Sequence, residues 1–113
     1  MLTAHPHRCI LLYPAPAWEP IRARIMSFSS FDAQTSLWKR LLVGFAEEVE
    51  LDGSGRLLIS PELRKFASFE KEVMMVGQGS HFEIWSQGAW EKQLDQLSTD
   101  PEKLPPGMEN FAL

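Results

Sequence analysis

The feature that most constrains this chain is a seven-residue pattern that occurs twice. Tyr13-Pro-Ala-Pro-Ala-Trp-Glu19 and Trp85-Ser-Gln-Gly-Ala-Trp-Glu91 both read as an aromatic residue, three spacers, then Ala-Trp-Glu, at an offset of 72 residues. Each follows a short apolar run that reads as a strand, and each opens a stretch with helical spacing. A strand and helix recurring at one period describe a supersecondary unit used twice around a shared core. With 113 residues the chain has no room for two independent large domains. The second copy begins near Glu47, so a matching first copy would begin about 25 residues before Met1. The front of the first repeat is therefore expected to be absent.

Between the two motifs the hydrophobic period sets the elements. Residues His7 to Tyr13 form an apolar run stopped by Pro14 and Pro16, which predicts a buried strand. Trp18, Ile21, Ile25 and Phe28 then share a helical face, with Pro20 expected in the first turn, where its missing N–H costs nothing. Asp32 is the expected N-cap of a second helix whose Leu37, Leu41, Leu42 and Phe45 share a face, with Gly44 near its end. From Glu47 the period becomes alternating, and Val49 to Leu51 and Leu57 to Ile59 read as two strands joined by Asp52-Gly-Ser-Gly55. Ser60-Pro-Glu-Leu63 announces a short helix running to about Ala67. Lys71 to Val76 and His81 to Trp85 form a second hairpin, and Ser86 caps a last helix to about Leu97 bearing Trp90, Leu94 and Leu97 on its apolar face. The tail from residue 98 to 113 has no periodicity and reads as a loose appendage.

Composition excludes several classes of function. No apolar run approaches the roughly 20 residues of a membrane-spanning helix, no secretory leader opens the chain, and the single Cys9 cannot form an internal disulfide, so a soluble protein of the reducing cytoplasm is expected. A net charge of −4 argues against polyanion binding by bulk charge. The charge is unevenly placed. Residues 1 to 46 carry five basic and two acidic side chains, whereas residues 47 to 113 carry six basic and thirteen acidic.

Few residues offer chemistry. His5, His7 and Cys9 lie close together but lack partners elsewhere, and His81 stands alone, so no metal site and no cofactor are expected. Cys9 falls inside an apolar strand, as an inert buried thiol would. Glu47, Glu48 and Glu50 alternate as a solvated strand face does. Nucleophile, base and orienting group cannot be assembled from these residues, so no enzyme is expected. Trp18, Trp38, Trp85 and Trp90 sit at apolar positions and read as core. The conspicuous loop is Asp52-Gly-Ser-Gly-Arg56, which is not a phosphate-binding loop because Arg56 leads into a strand rather than a helix. It has two readings: a hairpin turn whose Asp and Arg pair with each other, or an arginine held on a rigid turn to reach a phosphate or a guanine edge.

The run Leu51-Asp-Gly-Ser-Gly-Arg-Leu-Leu-Ile-Ser-Pro-Glu-Leu-Arg-Lys-Phe-Ala67, followed by Lys71-Glu-Val-Met-Met-Val-Gly-Gln-Gly-Ser-His-Phe-Glu-Ile-Trp85, closely resembles the second half of the MraZ family. Cys9 to Pro14, Ala17-Trp-Glu19 and Arg40 to Ala46 are similar to that family's strand, helix and inter-repeat helix, so the resemblance covers nearly all of residues 7 to 97. The resemblance implies an α+β fold, a SpoVT-AbrB-like double-split, swapped-hairpin β-barrel with flanking helices. Residues 1–46 would be the C-terminal remnant of a first repeat with the inter-repeat helix, 47–97 a second repeat, and 98–113 the tail. It further implies a DNA-binding transcriptional regulator, cytoplasmic and nucleoid-associated. Its target would be direct repeats at the promoter of the division and cell-wall gene cluster, bound usually as a ring-shaped homo-oligomer. Family members carry an Asp-x-x-x-Arg turn in each half; here Asp52 and Arg56 match one, and the other is missing. Arg56 carries over as the DNA contact, with Asp52, Gly53 and Gly55 shaping its turn; the charge of Arg64 and Lys65 adds them as phosphate contacts. The alternative is a truncated oligomerisation module that has lost specific DNA binding.

Overall fold

A computed structural model describes residues 1–97 and 105–108. The tail assigned from residue 98 onward otherwise lies outside the described residues. The chain runs β1 (Leu2–His5), β2 (Cys9–Leu12), α1 (Ala15–Ser27), α2 (Ala33–Leu42), α3 (Pro61–Phe66), β3 (Val73–Gly77), β4 (Phe82–Ser86) and α4 (Gln87–Asp95). This is an α+β architecture built on one antiparallel sheet of order β1-β2-β4-β3. Two hairpins, β1–β2 and β3–β4, meet along β2 and β4.

That central pairing carries an internal symmetry. Leu11 lies opposite Glu83, 72 residues later, with Ile10 against Ile84 and Leu12 against Phe82. The offset is that of the repeated motif, so a local twofold passes through the Leu11–Glu83 pair. The motif itself adopts matching geometry on both sides. Tyr13 meets Trp18 at 5.9 Å and 45°, and Trp85 meets Trp90 at 6.4 Å and 52°.

Three helix starts follow from their caps. The side chains of Asp32, Ser60 and Ser86 accept the amides of Thr35, Leu63 and Ala89 at 2.9, 3.3 and 3.2 Å, each satisfying an orphan donor of a first turn. Pro20 departs from expectation. It lies inside α1, beyond the first turn. Its missing N–H frees the carbonyl of Pro16, and Pro16 is exposed, so water takes the place of the lost bond.

The two sheet faces bury different sets. On one, Leu2, Ala4, Ile10 and Ile84 pack with Leu63 and Ala67 of the α3 region, and Val49, Leu57, Ile59 and Phe45 lie against them. On the other, Cys9, Leu11 and Trp85 pack with Leu42, Tyr13 and Trp90. Thr3 is fully buried between strand and helix and donates its hydroxyl to the carbonyl of Leu42 at 2.5 Å. Trp18 and Trp85 are core residues as expected, but Trp38 is 43% exposed and Trp90 half-buried.

Two expectations about strands are corrected. Leu2–His5, read as no element, is the edge strand β1, and Leu2 exchanges both backbone bonds with Glu47 at 2.9 and 2.8 Å. Val49 to Leu51 and Leu57 to Ile59, read as paired strands, form no ladder. Their alternation still sets burial, with Val49, Leu57 and Ile59 turned inward and Leu58 81% exposed. A two-stranded ribbon without a third strand beside it is marginal alone, and only the Asp52–Arg56 turn closes this one.

Candidate nucleic-acid interface

The turn is built by one carboxylate. Asp52 Oδ1 accepts the amides of Ser54 and Arg56 at 2.8 and 2.9 Å, and Oδ2 accepts Arg56 Nε at 3.1 Å. The backbone closes the same ring, Asp52 N donating to Arg56 O at 2.7 Å and Gly55 N to Asp52 O at 3.0 Å. These donors hold the Asp52 carboxyl below its ordinary value, first through the Arg56 amide and then through Ser54. Gly55 has φ of 76°, the left-handed region open to glycine. Gly53 does not share that conformation, so the expectation that both glycines supply left-handed angles holds for Gly55 alone.

Both readings of the loop meet here. Asp52 and Arg56 do pair, yet the pair is exposed and contributes little by itself to stability. What it does is aim the arginine. Bonding through Nε leaves the two terminal guanidinium nitrogens without a partner among the described residues, and the Arg56 side chain is 78% exposed. A planar fork held from behind is suited to a phosphate or the two acceptors of a guanine edge.

Arg64 and Lys65 lie on α3 and are exposed, lining a groove of about 480 Å³ with Ser68, Phe69 and Glu70. The turn residues do not line that groove. Leu51 and Leu57, which flank the turn, instead border an apolar groove of about 330 Å³ at the Leu12–Phe82 end of the sheet. Arg8, which the sequence did not single out, sits at the opposite end. It occupies the β1–β2 turn with φ of 67° and lays its guanidinium over Phe66, 4.6 Å from the ring centroid. With Lys71 and Lys92 it lines a groove of about 760 Å³ that shares Ser68 and Glu70 with the groove of Arg64 and Lys65. Lys39, a free cation by sequence, is tied to Phe28 O and to Ser30 Oγ.

Cys9 is buried, and burial pushes its thiol up to about 12. Among the described residues no cluster of His, Cys, Asp and Glu could hold a metal ion, and no helix is long and apolar enough to cross a membrane.

Two interlocked hairpins, a local twofold and an aspartate-anchored arginine turn define a small α+β protein of repeated strand-helix units. A family-wide sequence profile described as "MraZ protein, putative antitoxin-like" matches residues 42–105. Over the full chain, the transcriptional regulator MraZ of Methylobacillus flagellatus is 66% identical, with 77% of that protein covered. Those of Aromatoleum aromaticum and Dechloromonas aromatica are 53% and 54% identical over the full chain, with 78% and 77% of their lengths covered. The chain belongs to the MraZ family.

Proposed function

We propose that this chain is a DNA-binding transcriptional regulator that contacts DNA through the Asp52-to-Arg56 turn. The observation that carries the reading is the division of labour in Arg56: Nε bound to Asp52, the terminal nitrogens presented outward on a closed turn. Arg64 and Lys65 add phosphate contacts from the neighbouring helix. The relatives' shared name of transcriptional regulator supports the reading. The target is the promoter of the division and cell-wall gene cluster, read as direct repeats, in the cytoplasm at the nucleoid.

One turn reads little DNA, so the active species is a homo-oligomer. Its support is an uncovered half-face. The outer edge of β3 has no strand beside it, and Val73, Met75 and Phe82 are 45%, 51% and 46% exposed, while the same sheet face at β1 and β2 is covered by Val49, Leu57 and Ile59. Such an edge and patch invite pairing. A second copy laying a hairpin there would complete the swapped-hairpin barrel, with 1–46 and 47–97 as its two units and 98–113 outside it.

The test is binding of promoter DNA by Arg56→Ala, followed by fluorescence anisotropy at several salt concentrations. Loss of one bidentate base contact is expected to cost about 1–3 kcal/mol and relax specificity, whereas Arg64→Ala or Lys65→Ala should weaken binding uniformly and lower the salt slope by about one. Wild-type affinity in Arg56→Ala rules the turn out as the contact. A monomeric mass by light scattering at micromolar concentration rules out the oligomer.

A further inference from the structure

The two helices that follow the repeated motif each carry an apolar stripe that outruns the body of the chain. In α1 it begins at Trp18, 3% exposed, passes half-buried Ile21 and Ile25, and ends at Met26 and Phe28, 47% and 55% exposed. In α4 it begins at half-buried Trp90 and ends at Leu94 and Leu97, 47% and 72% exposed. A surface helix ordinarily turns such a stripe to its own core. Here the outer half of each stripe faces away from any core this chain supplies, the mark of a surface that a partner covers.

The charges beside the stripes are opposite. On α1, Arg22 is engaged by Glu19, but Arg24 has no carboxylate partner among the described residues, nor has Arg40 of the adjoining α2. On α4, Glu91 and Asp95 lie beside the stripe with Lys92 as the one cation, and neither forms an ion pair among the described residues. Complementary charge around complementary apolar strips gives orientation as well as attraction.

We propose that the outer half of α1 of one copy docks on the outer half of α4 of a second copy, with Arg24 facing Asp95 and Glu91. This rests on the homo-oligomer reading above and names its interface. The two patches are different surfaces of one chain, so the contact is heterologous: every copy offers α1 to one neighbour and α4 to another. Such an assembly closes as a ring or grows open-ended. It leaves the β3 half-face and the Asp52–Arg56 turn free.

Light scattering on the full chain at micromolar concentration tests this with Arg24→Glu, Asp95→Lys and their equimolar mixture. Each variant alone is expected to fall below the wild-type mass, and the mixture to recover it, because the reversed α1 of one meets the reversed α4 of the other. Leu97→Asp, at a position too exposed to hold the fold, should lower the mass with unchanged circular dichroism. Wild-type mass in Leu97→Asp, or a mixture of folded variants that stays small, overturns the interface while leaving the oligomer reading intact. A monomeric wild type removes both.

Discussion

Asp52 grips Arg56 twice, taking its amide at 2.9 Å on one carboxylate oxygen and its Nε at 3.1 Å on the other. Backbone closure of the turn and orientation of the guanidinium therefore depend on a single side chain. The turn holds its shape on an otherwise unladdered ribbon because its bonds are local.

The two glycines of this turn should respond differently to a methyl group. A Cβ at either would meet nothing within 4 Å, but only Gly55 has positive φ. Gly55→Ala is expected to strain the turn by about 1–2 kcal/mol and weaken DNA binding. Gly53→Ala should bind as wild type. Equal affinities for the two variants would show that the turn conformation is not what presents Arg56.

The carboxyl of Asp52 should also report its own contacts. Its value in the folded chain is held below the ordinary one, so the bonds to Ser54 and Arg56 are complete above the ordinary value of 3.8 and are lost as pH falls through the lower folded one. In an acid titration by NMR, the Ser54 and Arg56 amides should move together with a midpoint below that of a free aspartate. Asp52→Asn should abolish that transition and lower affinity for DNA by loosening Arg56. Amides that titrate like a free aspartate would contradict the bonding described.

Local chemistry was legible and long-range placement was not. Asp32, Ser60 and Ser86 could be read as caps because a cap needs only residues three positions away. The seven-residue repeat foretold the Tyr13–Trp18 and Trp85–Trp90 contacts for the same reason. Leu2–His5 escaped because a four-residue strand has too few positions to show a period, and because its partners Leu12 and Glu47 are brought to it only by the fold. The ribbon at 49–59 misled in the other direction, since alternation dictates which side chains turn inward but cannot supply a neighbouring strand. In the candidate site, Asp52 and Arg56 stood out by spacing. Arg8 could not, because what fixes it is the ring of Phe66 across the molecule.

Cys9 should be silent toward thiol reagents. It is 0% exposed and its thiol is pushed up to about 12 by burial, with Glu83 adding to the effect. At pH 7.5 the thiolate is a minute fraction, so a chromogenic disulfide should label the native chain only as fast as it opens. In denaturant, labelling should be complete within the mixing time of a manual assay. Rapid labelling of the native chain would mean that the Cys9–Leu11–Trp85 face is not closed.

Acidification should weaken the fold through His5. Burial lowers its value below 6.5, His7 and His81 lower it further, and Glu83 opposes them. Its Nδ1 accepts the amide of His7 at 3.1 Å, a bond that requires the neutral ring. The sign follows from linkage: above pH 6.5 both folded and unfolded chains hold His5 neutral, and below it the unfolded chain takes up a proton that the folded chain refuses until a lower pH. Stability is therefore complete above the ordinary value and declines as pH falls through the folded one. Urea midpoints measured from pH 7.5 down to 5 should fall, and His5→Asn, whose amide oxygen can still accept the His7 amide, should flatten that decline. A midpoint that holds steady over this range in the wild-type chain would mean that His5 is hydrated in the folded state.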